Sequence, residues 1–219
     1  MNEKRKLTRK ELAVYKETLK LSQKQRDIIV GTLLGDSTIA LRLGKCTKML
    51  KFEQGQAHKE YVVHLHDIFK DWCGGPPQER FIDKTRKAVW FRTYAHDSFL
   101  FYFNAFYTVK PNAEGQIRST KFVPKTIKTI LTARAIAYWF MDDGSKHPTG
   151  FYLNSHGFSY EDHVLLQETL ASVHKISTSI QKDKEKFRIN VLAPSKEDFE
   201  NLVRPYIHSD FLYKLHNPK

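Results

Sequence analysis

The chain has 219 residues, with 36 lysines and arginines against 24 aspartates and glutamates, a formal net charge of +12. Such an excess points to a polyanionic partner, nucleic acid above all or else an anionic membrane surface. With 41% hydrophobic and 13% aromatic residues, the chain can bury the core of one large domain or two small ones, which excludes global disorder. Two cysteines, Cys46 and Cys73, are too few for a zinc finger or ribbon and are expected to be reduced. No apolar run approaches the roughly 18 to 20 residues of a spanning helix, and residues 1–6 lead into no secretory h-region, so an intracellular protein without a membrane partner is expected.

Thr8-Arg9-Lys10-Glu11 has capping-box form ahead of Leu12, Tyr15 and Leu19, which predicts a short basic helix in an N-terminal appendage, residues 1–21. Ser22-Gln23-Lys24-Gln25 is a second box, and the helix it launches, through Ile28, Ile29, Val30, Leu33 and Leu34, is apolar all round and hence buried. Period-two alternation over 38–43 and 49–53, with a turn at Gly44-Lys45, predicts a hairpin with Ile39, Leu41, Leu43, Leu50 and Phe52 inward. Residues 58–72 read as a helix stopped by Gly74-Gly75-Pro76-Pro77; strands near 79–83 and 88–94 and an aromatic helix from Ser98 to Tyr107 close a first repeat over 22–107. Residues 108–124, with Pro111 and Gly115, read as a linker.

The second repeat, 125–219, has the same plan. Thr132 caps a run through Ile136, Trp139, Phe140 and Met141 to Asp142-Asp143; a strand at Phe151 and Leu153, a helix opening at Ser159, a hairpin over 176–191 and a last helix over about 195–204 follow. Asp36 and Asp143, 107 residues apart, therefore end equivalent buried helices, where the dipole is already negative and a carboxylate is disfavoured. Gly31 and Gly35, with Ala133 and Ala137 at the same spacing, would let the two helices approach closely and bring both acids to one oxygen-rich site suited to Mg²⁺. Such a site could hydrolyse phosphodiesters. The residues alone leave a second reading open, in which both aspartates are ordinary helix-terminal turn residues.

Ile29-Val30-Gly31-Thr32-Leu33-Leu34-Gly35-Asp36-Ser37 and Ile136-Ala137-Tyr138-Trp139-Phe140-Met141-Asp142-Asp143-Gly144 resemble the paired motifs of single-chain LAGLIDADG homing endonucleases. The resemblance runs from about Leu21 to Leu215. It implies an α+β fold of two pseudo-symmetric αββαββα repeats, whose antiparallel sheets form a saddle over DNA. It also implies a monomer that makes double-strand breaks at a long specific site in intron homing, in a mitochondrion or chloroplast. Asp36 and Asp143 would bind two or three Mg²⁺ ions at the motif-helix ends, with Asp142, one position early, a turn or supporting residue. Lys121, in Lys121-Phe122-Val123-Pro124, and Lys214, in Tyr213-Lys214-Leu215, match family lysines beside the scissile phosphates. Glu53 and Asn154 match polar positions that support the metal ligands. Tyr138 and Trp139 replace small residues of the motif, a substitution shared by the subfamily.

Outward strand residues are the expected DNA readers: Thr38, Arg42, Lys51, Ser177, Ser179, Gln181, Arg188 and Asn190. Arg80, Lys84, Arg86 and Arg92 join them in a hairpin of ambiguous register, and Lys182, Lys184 and Lys186 form a phosphate-binding tip. His64 and His66, two apart on a helix, point to different faces and make a poor chelate. An RNA-binding intron maturase on the same scaffold is the rival reading, with intron RNA as partner; a non-enzymatic DNA-binding module would leave Asp36 and Asp143 unexplained.

Overall fold

The computed structural model describes residues 7–41, 48–112 and 114–216. Thr8 and Ser22 both close reciprocal capping boxes, opening α1 (Arg9–Thr18) and α2 (Gln23–Leu34). α1 buries no residue. It is tied to the body where the Tyr15 hydroxyl donates to the Asp71 carbonyl and His96 Nε2 to the Lys16 carbonyl, each at 2.9 Å. α2, by contrast, is buried at every residue from Asp27 to Leu34, as an all-round apolar surface requires.

β1 (Thr38–Leu41) and β2 (Lys48–Gly55) precede α3 (Lys59–Phe69), β3 (Gln78–Phe81), β4 (Lys87–Arg92) and α4 (Leu100–Phe106). The four strands form an antiparallel sheet in the order β1-β2-β4-β3. Alternation sorts its faces: Ile39, Leu50, Phe52, Val89 and Phe91 are buried on the side that α3 covers. Thr38, Lys51, Glu53, Arg92, Trp90, Gln78 and Arg80 share the opposite face through their cross-strand pairs. Arg42, Leu43 and the turn at Gly44-Lys45 lie outside the described residues.

After β5 (Tyr107–Pro111) and β6 (Ile117–Lys121), α5 (Ile127–Ile130) leads to α6 (Ala133–Asp143), capped by Thr132. β7 (Gly144–His147), β8 (Gly150–Leu153), α7 (Tyr160–His174), β9 (Thr178–Asp183), β10 (Lys186–Val191) and α8 (Lys196–Val203) complete the second repeat. Its sheet runs β7-β8-β10-β9, the same order as the first. Two expectations need correction. The 108–124 linker contains the paired strands β5 and β6, and the strand at Phe151 is the second of two, because Gly144-Ser145-Lys146-His147 forms β7 without any apolar alternation to announce it.

α2 and α6 pack on each other at the centre of the core. Along this seam Asp27 pairs with Arg134 at 2.8 Å, Gly31 lies against Ala135 and Tyr138, and Gly35 lies against Asp142. Positions 27, 31 and 35 are separated from 134, 138 and 142 by the same 107 residues that separate Asp36 from Asp143. Over three successive turns each residue therefore meets its own counterpart, which marks a local twofold axis. The helices touch so closely that a Cβ on Gly31 would stand 2.2 Å from the Ala135 carbonyl oxygen. The small residue facing Gly31 is thus Ala135 and not Ala133, which is partly exposed; Ala137 is buried in the core.

Candidate active site

The twofold seam delivers both motif acids to one place. Gly35 ends α2, so Asp36 is the first residue beyond it, and Asp143 is the last residue of α6. Each helix end also receives an ammonium group. Lys121, at the end of β6, donates to the Gly35 carbonyl at 2.9 Å, while Lys214, in the 3-10 turn Ser209–Lys214, donates to the Met141 carbonyl at 2.6 Å and the Phe140 carbonyl at 3.4 Å. Carbonyls at helix C-termini lack intrahelical partners and carry the negative dipole end, so a lysine there satisfies both.

Burial governs the electrostatics. It pushes Lys121 down to about 8, against the pull of Asp142, Asp143 and Asp36, and lowers Lys214 for the same reason. Asp143 is pushed up to about 7 by burial and by the Asp36 charge, with Lys121 and Lys214 opposing. Asp142 is also raised, by burial first and then by Asp36. Asp142 is more than a turn residue: its Oδ2 accepts from the Asp36 amide at 3.2 Å, and its Oδ1 accepts from Gln54 Nε2 and the Tyr61 hydroxyl, each at 3.2 Å. It fixes the backbone of Asp36 from across the seam. Gly35 leaves room for it, since a Cβ there would stand 2.5 Å from the Asp142 Cβ.

The expected supporting residue Glu53 does not reach this cluster. It lies on the open sheet face, paired with Arg80 and with Lys51 at 2.5 Å. Its neighbour Gln54 takes the role: Nε2 donates to Asp36 Oδ2 at 2.9 Å as well as to Asp142. The signal was available, because Gln54 shares the parity of Leu50 and Phe52 and is a polar residue at an inward position. Asn154 does border the centre, its amide donating to the Asp143 carbonyl at 2.9 Å, though its side chain donates to Ser145 Oγ. Tyr61, buried and with its hydroxyl held well above the usual phenol range, was missed because it reads as an ordinary core aromatic of α3.

The candidate DNA readers divide by register. Thr38, Lys51, Arg80 and Arg92 share one sheet face around Trp90, which resolves the ambiguous hairpin; Lys84 and Arg86 fall in its connecting turn. On the second sheet, Ser179, Gln181, Arg188 and Asn190 share a face with Ser145 and Tyr152, and Ser177 precedes β9 with the same parity. Asn190 is nearly buried and tied to His147 at 2.8 Å and Ser179 at 3.3 Å, so it braces the face. Arg188 stacks its guanidinium 3.7 Å from the Tyr152 ring centroid. Lys182 pairs with Phe187 and takes the opposite parity at the hairpin tip.

Among the described residues no three His, Cys, Asp or Glu side chains form a metal-holding group. Mg²⁺ nevertheless fits the donors present, because it is commonly held by one or two carboxylates, its other positions being filled by water and substrate phosphate. Asp36 and Asp143 would supply those carboxylates, and the upward push of Asp36 on Asp143 is the repulsion that a hard cation would relieve. In metal-free protein the raised Asp143 contributes stability that is fully present below its unfolded value of 3.8 and is lost as pH rises through about 7. His64, lowered by burial, acts in the opposite sense, so the test is a difference. The stability lost by metal-free protein between pH 5 and pH 8 is expected to be smaller in Asp143→Asn by on the order of 2–3 kcal/mol, measured by denaturant titration.

The chain belongs to the LAGLIDADG DNA endonuclease family, whose model matches residues 26–199. It is similar to the DNA endonuclease I-ChuI of Chlamydomonas applanata, 26% identical over 214 residues that take in 90% of this chain and 96% of that protein. It is also similar to the cytochrome b mRNA maturase bI2 of Saccharomyces cerevisiae, 30% identical over 200 residues, 87% of this chain but only 47% of the maturase. Among solved structures, the homing endonuclease I-WcaI bound to its DNA recognition sequence superimposes with a TM-score of 0.83 at 26% identity, over 96% of this chain and 94% of the other.

Proposed function

We propose that this endonuclease acts as a monomer on a long specific site in double-stranded DNA, hydrolysing one phosphodiester on each strand at the paired helix ends with Mg²⁺. The observation that carries the reading is the duplicated half-site: Asp36 with Lys121 on the Gly35 carbonyl, and Asp143 with Lys214 on the Met141 carbonyl. Two similar half-sites about a local twofold axis, their lysine anchors offset by one residue, suit two strands of opposite direction. Two or three divalent ions, held by Asp36 and Asp143, would supply a nucleophilic water and stabilise the leaving oxygen. Gln54 and Asp142 hold Asp36 in place through its carboxylate and its amide. Each lysine, anchored on a carbonyl, keeps further N–H donors for phosphate oxygens as negative charge builds up on them. Lys121, lowered to about 8, is also an acid of suitable strength to give up or take a proton near neutral pH. The open sheet faces would read base edges and phosphates on either side.

Intron homing in a mitochondrion or chloroplast is the setting we propose, in keeping with relatives described as intron-encoded and chloroplastic. Similarity to mRNA maturases favours a second reading, binding of intron RNA by the same scaffold. Incubation with a randomised duplex library in Mg²⁺ separates the two. One long sequence cut on both strands, with cutting lost in EDTA, is expected; uncut DNA together with tight binding of intron RNA would replace the endonuclease reading by the maturase one.

A further inference from the structure

We infer that the β5–β6 hairpin joining the two repeats is a second DNA-binding element, a ribbon laid on the duplex beside the cleavage centre; this rests on the DNA endonuclease reading above. The ribbon has no core beneath it. Apart from its first pair, Tyr107 and Lys121, every residue of both strands is exposed, on both faces. An isolated two-stranded hairpin is marginal in water, and this one carries a further cost. Lys110 is paired directly with Arg118, a like-charge pair that destabilises an antiparallel ladder. Among the described residues neither is paired with an acidic side chain, and Arg118 donates to the neutral Gln116 side chain at 3.0 Å. A polyanion lying across both side chains removes that cost.

Position selects which polyanion. The base of the ribbon is built into the catalytic centre: Tyr107 Oη accepts from the Ile39 amide at 3.1 Å, and Lys121 holds the Gly35 carbonyl next to Asp36. Successive residues rise by roughly 3.3 Å, so the Lys110–Arg118 pair stands about 10 Å along the ribbon from Lys121. A duplex whose scissile phosphates lie at Asp36 and Asp143 passes within reach of that pair. Thr108 and Thr120 share its face, the opposite one from Tyr107 and Lys121, and add hydroxyls to it.

The test compares wild type with a Lys110→Ala/Arg118→Ala variant, binding the duplex that wild type cuts, in Ca²⁺ at several salt concentrations. A Lys70→Ala/Lys196→Ala variant loses the same charge from the helical side of the molecule and serves as control. The ribbon variant is expected to bind more weakly, uniformly across target variants, with the slope of log K against log salt reduced by about two, while the control keeps the wild-type slope. Its melting temperature should hold or rise, since a repulsive pair is gone. A wild-type slope and affinity in the ribbon variant, or an equal change in the control, overturns the inference and leaves the endonuclease reading standing. Wild-type protein that neither binds DNA in Ca²⁺ nor cuts it in Mg²⁺ overturns both.

Discussion

Replacing either Asp36 or Asp143 with asparagine is expected to abolish double-strand cleavage while sequence-specific binding in Ca²⁺ persists. Asparagine keeps the shape and the acceptor oxygen that Gln54 uses on Asp36, but it removes the charge on which a divalent cation depends. Because the acids meet at one axis, where the Asp36 charge helps raise Asp143, losing one disturbs both half-sites. A fall of at least ~10²–10³-fold in the single-turnover rate is expected, the scale on which removing one electrostatic stabiliser acts. Asp142→Asn should behave differently, since Asp142 is half-buried and steadies the Asp36 amide rather than presenting a free carboxylate. Wild-type cutting by either the Asp36 or the Asp143 variant would remove these residues from the chemistry.

The second large effect concerns the seam. Gly31→Ala adds only a methyl group, but that methyl would lie 2.2 Å from a backbone oxygen and 2.9 Å from the carbonyl carbon of Ala135. Backbone cannot turn aside as a side chain can, so α2 and α6 must separate, and a loss of at least ~1–3 kcal/mol follows. For a chain of this size each kcal/mol moves the melting temperature by about 2–4 °C. Separated helices also carry Asp36 and Asp143 apart, so cleavage should fall further than binding. An unchanged melting temperature would contradict the contact.

Much of this was legible in the sequence, because the signals were local. The capping boxes at Thr8 and Ser22, the all-round apolar α2 and the alternation of β2 and β9 report directly on the backbone that carries them. What escaped was relational. Matching Ala133 and Ala137 to Gly31 and Gly35 by spacing missed the register, whereas the offset between the two aspartates already pairs Gly31 with Tyr138 and Gly35 with Asp142. Glu53, carried over from the family resemblance, lies on the outward face, whereas the acids lie under the inward face at the end of β2, where Gln54 reaches them. The β5–β6 ribbon looked like a linker because a hairpin exposed on both faces has no hydrophobic periodicity to display.

The seam also settles how the two halves relate as partners. Glycine at 31 meets tyrosine at 138, glycine at 35 meets aspartate at 142, and aspartate at 27 meets arginine at 134. Two copies of the first half would oppose buried Asp27 to itself, a repulsion with no Arg134 to answer it. Two copies of the second would bring together tyrosines, carboxylates and guanidinium groups, each against its own kind. The two halves are therefore complementary, each matched to the other better than to a copy of itself, like the members of a heterodimer joined in one chain. Between complementary halves nothing obliges the two proposed reading faces to stay alike, and one is set around Trp90 with Lys51, Arg80 and Arg92, the other around Tyr152 with Arg188, Ser179 and Gln181. A target read by this pair of faces has no reason to be a palindrome.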